Sequence, residues 1–121
     1  MDASQVLKQY FGYDSFRKGQ SDIIEAILQG RDALAIMPTG AGKSVCYQVP
    51  ALLLPGITIV ISPLISLMQD QVKALNEAGI KAGYINSSLT ESQISTVYAR
   101  ALDGAYKILY VAPERLESYE F

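Results

Sequence analysis

The stretch Ala33-Leu34-Ala35-Ile36-Met37 runs without a break into Pro38-Thr39-Gly40-Ala41-Gly42-Lys43-Ser44. Five consecutive apolar residues, closed by a proline and a glycine-rich turn, predict a buried β-strand. The apolar segment from residue 44 to about residue 54 predicts a helix that ends before Pro55-Gly56. A strand, a glycine-rich loop and a helix in this order are the setting in which a phosphate-binding loop occurs.

This loop offers a polyphosphate three attractions. Backbone N–H groups can turn inward where side chains are small, the next helix points its positive end at the same place, and Lys43 adds a mobile charge. Ser44 can offer its hydroxyl to a magnesium ion that bridges the terminal phosphates. The candidate phosphate ligands are Thr39, Gly40, Ala41, Gly42, Lys43 and Ser44. Because Met37 replaces the first glycine of the full pattern, a glycine turn that only begins a helix remains the alternative.

Composition restricts the class of protein. The chain has 121 residues, half of them hydrophobic, which predicts one ordered domain or less. With 10 Lys and Arg against 12 Asp and Glu it has no broad basic field, so any nucleic-acid contact must come from local loops. The lone Cys46 excludes an internal disulfide and is expected to fill the core, and the absence of histidine argues against a zinc site. No membrane span or secretory signal is present, so we expect a soluble protein of a reducing compartment.

Apolar periodicity predicts the remaining elements. Residues 6–11 and 23–28 each form a short helix, ended by Gly12 and Gly30 respectively. Residues 57–61, 82–86 and 107–112 form strands, and the first of these is expected to be covered on both faces. Helices follow over residues 64–78 and from about 90 to 102; the second carries Ile94, Val97, Tyr98, Ala101 and Leu102 on one side. Its capping box is formed either by Thr90 with Gln93 or by Ser88 with Glu91.

Four strands alternating with helices predict a parallel α/β sheet with right-handed crossovers. The carboxyl ends of such strands share one edge, where ligands bind. Here they lead into residues 38–40, 62–64, 86–88 and 113–115. The first loop suits a nucleotide phosphate, and the other three suit a longer phosphate-bearing ligand that lies across the edge. The alternative is that Ser62 and Ser87 or Ser88 are ordinary helix caps.

Several motifs together resemble a known family. They are Phe16-Arg17-x-Gly19-Gln20, the loop Met37 to Ser44 continued by x-Cys46-Tyr47-Gln48-x-Pro50-Ala51, Ser62-Pro63-Leu64-Ile65-Ser66-Leu67-Met68-x-Asp70-Gln71-Val72, and Ala112-Pro113-Glu114-Arg115-Leu116. In order and spacing they resemble the opening motifs of RecQ-like DNA helicases over nearly the whole chain. Met37 agrees with those helicases, which do not keep the first glycine. Ala41 departs from the glycine expected there, a change that adds one methyl group to the loop.

The resemblance implies a P-loop (RecA-like) fold, a three-layer α/β sandwich that is incomplete here. Residues 1–121 would be the N-terminal portion of the first motor domain of an ATP-dependent DNA helicase that uses Mg²⁺. Such an enzyme couples ATP hydrolysis to 3'-5' translocation on single-stranded DNA and to duplex unwinding in repair and recombination. The compartment would be the cytoplasm of a bacterium or the nucleus of a eukaryote, without membrane association.

Roles for individual residues follow from the same resemblance. Tyr13 would stack on adenine, Gln20 would bond its edge, and Arg17 would fix the base or reach the phosphates. Lys43 would hold the β and γ phosphates as the catalytic lysine, and Ser44 the metal. The residues expected to contact the DNA backbone are Ser62, Pro63, Leu64, Asn86, Ser87, Pro113, Glu114 and Arg115. The alternatives are a core aromatic role for Tyr13 and a solvated first helical turn for Arg17 and Gln20.

The resemblance also implies that two elements of the family are missing from residues 1–121. The family continues with a strand ending in Asp-Glu-x-His and with a second motor domain, and neither is found in the 121 residues. Since phosphoryl transfer needs the metal, an oriented water and a cationic clamp together, we expect this piece to bind nucleotide weakly without hydrolysing it. A missing neighbouring strand would leave a sheet edge prone to self-association. Two other functions stay open, a P-loop small-molecule kinase and a non-catalytic nucleotide-dependent binding module.

Overall fold

The structure is a computed structural model that describes residues 2–17, 19–34 and 43–117 of the chain. The chain divides into two units, Met1–Pro55 and Gly56–Phe121. The predicted strand and loop at residues 35–42 lie outside the described residues.

Unit 1 is helical over its described residues. Asp2 and Gln5 form a capping box at the start of α1 (Ala3–Val6), which continues into a π-helical turn, Leu7–Phe11. Gly12 ends this turn with a φ of 76°, a left-handed conformation that favours glycine. Helices α2 (Gln20–Leu28) and α3 (Lys43–Leu53) follow. All three predicted helices of this region are confirmed, and their apolar faces form one core of Val6, Leu7, Ile24, Val45 and Val49.

The segment before the glycine-rich loop differs from the prediction where it is described. Ala33 and Leu34 lie in no strand, and Leu34 is 91% exposed, so the prediction of a buried strand is wrong for these two residues. An extended segment becomes a strand only by hydrogen bonding to a neighbour. Neither Ala33 nor Leu34 belongs to any of the described strands.

Unit 2 is an α/β layer structure. Along the chain it contains β1 (Thr58–Ile61), α4 (Ile65–Glu77), β2 (Ala82–Ile85), α5 (Glu91–Leu102), β3 (Ile108–Val111) and a 3₁₀-helix, Pro113–Glu117. The described strands form a parallel sheet in the order β1-β3-β2. Since crossovers between parallel strands are right-handed, α4 and α5 cover opposite faces. Three of the four predicted strands and the parallel α/β class are therefore confirmed.

The register of the sheet places the ends of the three strands at one level. Val111 of β3 is aligned with Ile61 of β1 on one side and with Ile85 of β2 on the other. All four residues of β3 are buried, because this central strand lies beneath both helical layers. The loops that leave the three strands therefore emerge side by side on one edge, which we call the carboxyl edge.

Two expectations about burial in unit 2 are wrong. Strand β1 is not covered on both faces: its residues Ile59 and Ile61 are 45% and 53% exposed, and Ile57 just before it is 40% exposed. Both β1 and β2 are outer strands of the described sheet, but α4 and α5 pack mainly on β2. Leu102 is 89% exposed at the last residue of α5, outside the stripe of Ile94, Val97, Tyr98 and Ala101 that faces the core. The capping box at the start of α5 is the one formed by Thr90 and Gln93.

Candidate functional site

The residues predicted to bind a nucleotide base lie together in unit 1. Tyr13, Arg17 and Gln20 line one small cavity of about 80 Å³, together with Ser15 and Val45. Tyr13 follows the glycine that ends the π-helical turn, and its ring is 51% exposed, which rules out the alternative of a core aromatic. Ligand pockets usually measure at least about 300 Å³, so this cavity has room for one edge of a ring whose face would lie against Tyr13.

Gln20 is a buried residue of this cavity that hydrogen bonds hold in place. Its side chain is only 4% exposed, so the alternative of a solvated first helical turn is wrong for it. The Arg17 N–H donates to its Oε1 at 2.7 Å, and the Gln20 N–H donates to the Arg17 carbonyl at 3.0 Å. These two bonds join Arg17 directly to Gln20. Arg17, by contrast, is exposed, as a residue reaching toward a base or a phosphate must be.

Lys43 and Ser44 are the described residues of the glycine-rich loop, and Thr39, Gly40, Ala41 and Gly42 lie outside the described part. Lys43 is exposed at the first position of α3, and Ser44 follows it half-buried. The first turn of this helix contains no acidic residue, so nothing there offsets the positive end of its dipole. The arrangement of these two residues fits an anion at the helix start.

The described residues supply little for a metal ion. No group of three His, Cys, Asp or Glu side chains that could hold a metal is found within residues 2–17, 19–34 and 43–117. Ser44 contributes one hydroxyl from the first turn of α3. Mg²⁺ bound with a nucleotide keeps several waters and phosphate oxygens and needs few protein ligands, so a single hydroxyl fits that metal.

At the carboxyl edge of unit 2, three loops predicted to contact a nucleic acid lie side by side. The Ser62 N–H donates to the Val111 carbonyl at 3.1 Å, and the Ala112 N–H donates to the Ile85 carbonyl at 3.0 Å. Each bond joins the first residue after one strand to the last residue of the neighbouring strand. Pro63, Leu64, Ser87, Pro113 and Glu114 are exposed, whereas Ser62 and Arg115 are half-buried. The Ser62 hydroxyl accepts the Leu64 N–H at 3.2 Å in a local turn. The N-cap of α4 is Leu64, without a side-chain cap bond, so the alternative that Ser62 is an ordinary helix cap is wrong.

Asn86 differs from its neighbours at this edge because its side chain is fully buried, with 0% exposure. Its Oδ1 accepts from both the backbone N–H and the hydroxyl of Ser88, and its Nδ2 donates to the Met68 sulfur at 3.5 Å. Burial does not fit the expected direct contact of this side chain with DNA. The amide instead shapes the loop that exposes Ser87 and Ser88.

Two residues that the sequence did not single out belong to these sites. Gln69 of α4 donates from Nε2 to the Ser88 hydroxyl at 3.3 Å and so joins α4 to the loop that follows β2. Its partner lies 19 residues further along the chain, so no local sequence pattern predicts this hydrogen bond. Ser15 lines the base cavity, and its position between Tyr13 and Arg17 was the available signal.

Larger cavities of unit 2 lie elsewhere. Volumes of about 390 and 630 Å³ lie beside β2, where Tyr84 borders both. None of the residues predicted for nucleotide or DNA lines either of them. Cys46 also lies outside the sites: it is buried in α3, and burial raises the pKa of its thiol, as expected of a residue that fills the core. Among the described helices, none has the length and apolar character needed to cross a bilayer.

Comparison with known proteins identifies the family. The family model "DEAD/DEAH box helicase" matches residues 17–120. The chain is 55% identical over 120 residues to the ATP-dependent DNA helicase RecQ of Bacillus subtilis, a match that covers 98% of this chain and 20% of that protein. It is 54% identical to RecQ of Haemophilus influenzae (98% and 19%) and 48% identical to the ATP-dependent DNA helicase Q-like 5 of Arabidopsis thaliana (98% and 13%).

The chain thus spans a fifth or less of the length of these relatives. The match of the family model over most of the chain agrees with the parallel α/β architecture and with the order of the motifs. The resemblance to RecQ-like helicases is confirmed, and the chain belongs to the DEAD/DEAH box helicase family.

Proposed function

We propose that residues 1–121 are the N-terminal portion of the first motor domain of a RecQ-like ATP-dependent DNA helicase. The whole enzyme would couple ATP hydrolysis to 3'-5' translocation on single-stranded DNA and to duplex unwinding, in bacterial cytoplasm or a eukaryotic nucleus. One observation carries the proposal: the strand register brings three candidate DNA-contacting loops to a single edge. It is supported by the printed names of the relatives, which are ATP-dependent DNA helicases.

In this proposal unit 1 binds the nucleotide. Tyr13 stacks on the adenine face, Gln20 meets its edge and Arg17 reaches toward the base or phosphates; their common cavity supports this grouping. Lys43 holds the β and γ phosphates at the start of α3, and Ser44 holds the magnesium ion. Thr39, Gly40, Ala41 and Gly42 complete the phosphate cradle through their backbone N–H groups. The metal supplies charge neutralisation between the terminal phosphates.

The carboxyl edge of unit 2 binds the sugar-phosphate backbone of DNA. Ser62, Pro63 and Leu64 form one contact segment, Ser87 a second, and Pro113 to Arg115 a third. Since the Glu114 carboxylate repels phosphate, its contact is made by the backbone N–H at the start of the 3₁₀-helix. Asn86 acts indirectly by shaping the loop of Ser87. Contacts of this kind carry no sequence information, which suits a motor that moves along any strand.

The decisive experiment measures coupling between the two ligands. Binding of a fluorescent ATP analogue with Mg²⁺ to the 121-residue chain is titrated with and without oligothymidylate. We expect the oligonucleotide to tighten nucleotide binding, whereas small hydroxylated kinase substrates leave it unchanged. Tightening by a kinase substrate, with none by DNA, would favour the small-molecule kinase and overturn the helicase proposal.

We also propose that the 121-residue chain self-associates through β1. This strand is an outer strand of the described sheet, and Ile59 and Ile61 of β1, with Ile57 just before it, expose apolar surface there. Sedimentation velocity should show oligomers that Ile59→Lys disperses. Leu102→Lys is the matched control, because Leu102 is exposed on α5 and away from the strand edge. A clean monomer of the unaltered chain at high concentration would contradict this proposal.

A further inference from the structure

Arg115 is the only cation among the eight residues predicted for the carboxyl edge, and its guanidinium is held by another side chain. Its Nη2 donates to the hydroxyl oxygen of Tyr98 at 3.2 Å. Its Nε is buried and has no hydrogen-bond partner among the residues that the structure describes. The backbone is fixed as well, because the Arg115 N–H donates to the Ala112 carbonyl at 3.0 Å.

The Tyr98 side chain packs against the core of unit 2. It lies on α5, half-buried, and packs with Val97 and Ala101 against a cluster formed by Ile85, Ile94, Leu109 and Val111. Ile85 and Val111 are the last residues of β2 and β3, so the cluster lies near the carboxyl edge. Because its ring is packed in this way, the Tyr98 hydroxyl is a fixed acceptor for a side chain 17 residues further along the chain.

The chemistry of the pair favours binding of an anion. A carboxylate in place of the phenol would neutralise the guanidinium, whereas a neutral hydroxyl orients it and leaves its full charge available. An arginine side chain that is free in solution loses rotamer freedom when it binds phosphate, so holding it in place beforehand makes binding more favourable.

We propose that Tyr98 is a positioning residue for binding of the single-stranded DNA backbone, acting through Arg115. This inference rests on the proposed function of the carboxyl edge. The sequence shows Tyr98 only as an apolar position of α5, so its hydroxyl has a role that the helical pattern does not require. The phenol orients the guanidinium, and the guanidinium contacts the phosphate.

The test removes one oxygen atom. Tyr98→Phe keeps the packed ring, so the thermal midpoint of the 121-residue chain should shift by no more than a few degrees. Its affinity for fluorescein-labelled oligothymidylate, measured by anisotropy at low salt, should fall about 3- to 10-fold, the effect of one ordinary net hydrogen bond, because the phenol orients the guanidinium and does not itself contact the phosphate. Tyr84→Phe is the matched control, because Tyr84 is a half-buried tyrosine of β2 that borders the cavities away from the carboxyl edge; its affinity should stay unchanged.

A double-mutant cycle separates positioning from a general structural effect. In the background of Arg115→Ala, Tyr98→Phe should cause no further loss, because the residue through which it acts is gone. An equal loss in both backgrounds, or no loss in either, would overturn the inference. If Arg115→Ala weakens binding while Tyr98→Phe does not, only the inference fails. If neither Arg115→Ala nor Ser87→Ala changes affinity, the proposed DNA surface fails with it.

Discussion

Tyr13, Arg17 and Gln20 lie within eight residues of one another in unit 1, and one turn of chain brings them to a single cavity. The candidate residues of unit 2 come from three strand ends and are held by contacts between residues far apart in the chain. Met68 contacts Asn86 across 18 residues, Gln69 contacts Ser88 across 19, and Arg115 contacts Tyr98 across 17.

This difference separates two ways of building a binding surface. In unit 1 the ligand-facing Tyr13, Arg17 and Lys43 are exposed, so removal of any of them should cost ligand affinity and little stability; Gln20 is the buried exception. In unit 2 the exposed groups depend on buried ones, so some substitutions there should lower stability and affinity together. Single substitutions in either unit therefore test this contrast.

The largest effect is expected at Lys43. Lys43→Ala removes the full charge at the start of α3, and charge-assisted hydrogen bonds are worth about 1.5–3 kcal/mol. Affinity for Mg²⁺·ATP, measured by isothermal titration calorimetry, should fall about 10- to 150-fold, with an unchanged thermal midpoint. Lys73→Ala, at an exposed lysine of α4, is the control and should bind as the unaltered chain does. Unchanged ATP affinity in Lys43→Ala would remove the phosphate site from unit 1.

Asn86 tests the buried side of the contrast. Asn86→Ala removes an amide that bonds Ser88 and Met68 and leaves a cavity, so unfolding free energy should fall by about 2–3 kcal/mol. Urea unfolding followed by circular dichroism measures this change. Ser87→Ala, at the exposed neighbour, should weaken oligonucleotide binding and leave stability within about 0.5 kcal/mol. If the two variants are equally stable, Asn86 does not shape the loop.

Tyr13 tests whether base and phosphates are bound by separate groups. Tyr13→Ala removes a half-exposed ring, and stacking on a base is worth about 1–3 kcal/mol. Affinity for ATP should fall about 5- to 150-fold, whereas affinity for inorganic triphosphate should not change. Lys43→Ala should weaken both ligands. An equal loss for ATP and triphosphate in Tyr13→Ala would contradict stacking on adenine.

The smallest effect concerns Cys46. Burial raises the pKa of this thiol, so at pH 7 to 8 it stays protonated, and the thiolate is the reactive form. Reaction with a disulfide reagent should be slow in the folded chain and fast in denaturant. Because Tyr13→Ala is expected to leave unit 1 folded, it should not change the slow rate. Fast reaction in that variant would show that Tyr13 supports the fold.

Local patterns in the sequence predicted the helices and their ends well. Gly12 and the capping box of Thr90 and Gln93 are examples, since each depends on residues close along the chain. The three strands of unit 2 were also predictable from their apolar runs. Burial was less so. The run at β1 indicates a strand covered on both faces, but the helices of unit 2 pack mainly on β2, and the packing of helices on a sheet is a long-range property.

The same division between local and long-range features applies to the two candidate sites. The motif from Tyr13 to Gln20 predicts the residues of the base cavity because the cavity is formed by one segment. Asn86 was predicted as a surface contact, although the structure turns its amide inward toward Met68, a residue on α4. The contacts of Gln69 and Tyr98 could not be predicted either, because each depends on how a helix packs against a distant loop.

The most direct test of the two-site account is a nuclear magnetic resonance titration of the ¹⁵N-labelled chain. Mg²⁺ with a non-hydrolysable ATP analogue should shift the amide signals of Gln20, Lys43 and Ser44, and oligothymidylate should shift those of Ser62, Ser87 and Arg115. If the oligonucleotide instead shifts the residues that line the cavities beside β2, such as Tyr84 and Arg100, and leaves the carboxyl edge unchanged, the account is contradicted.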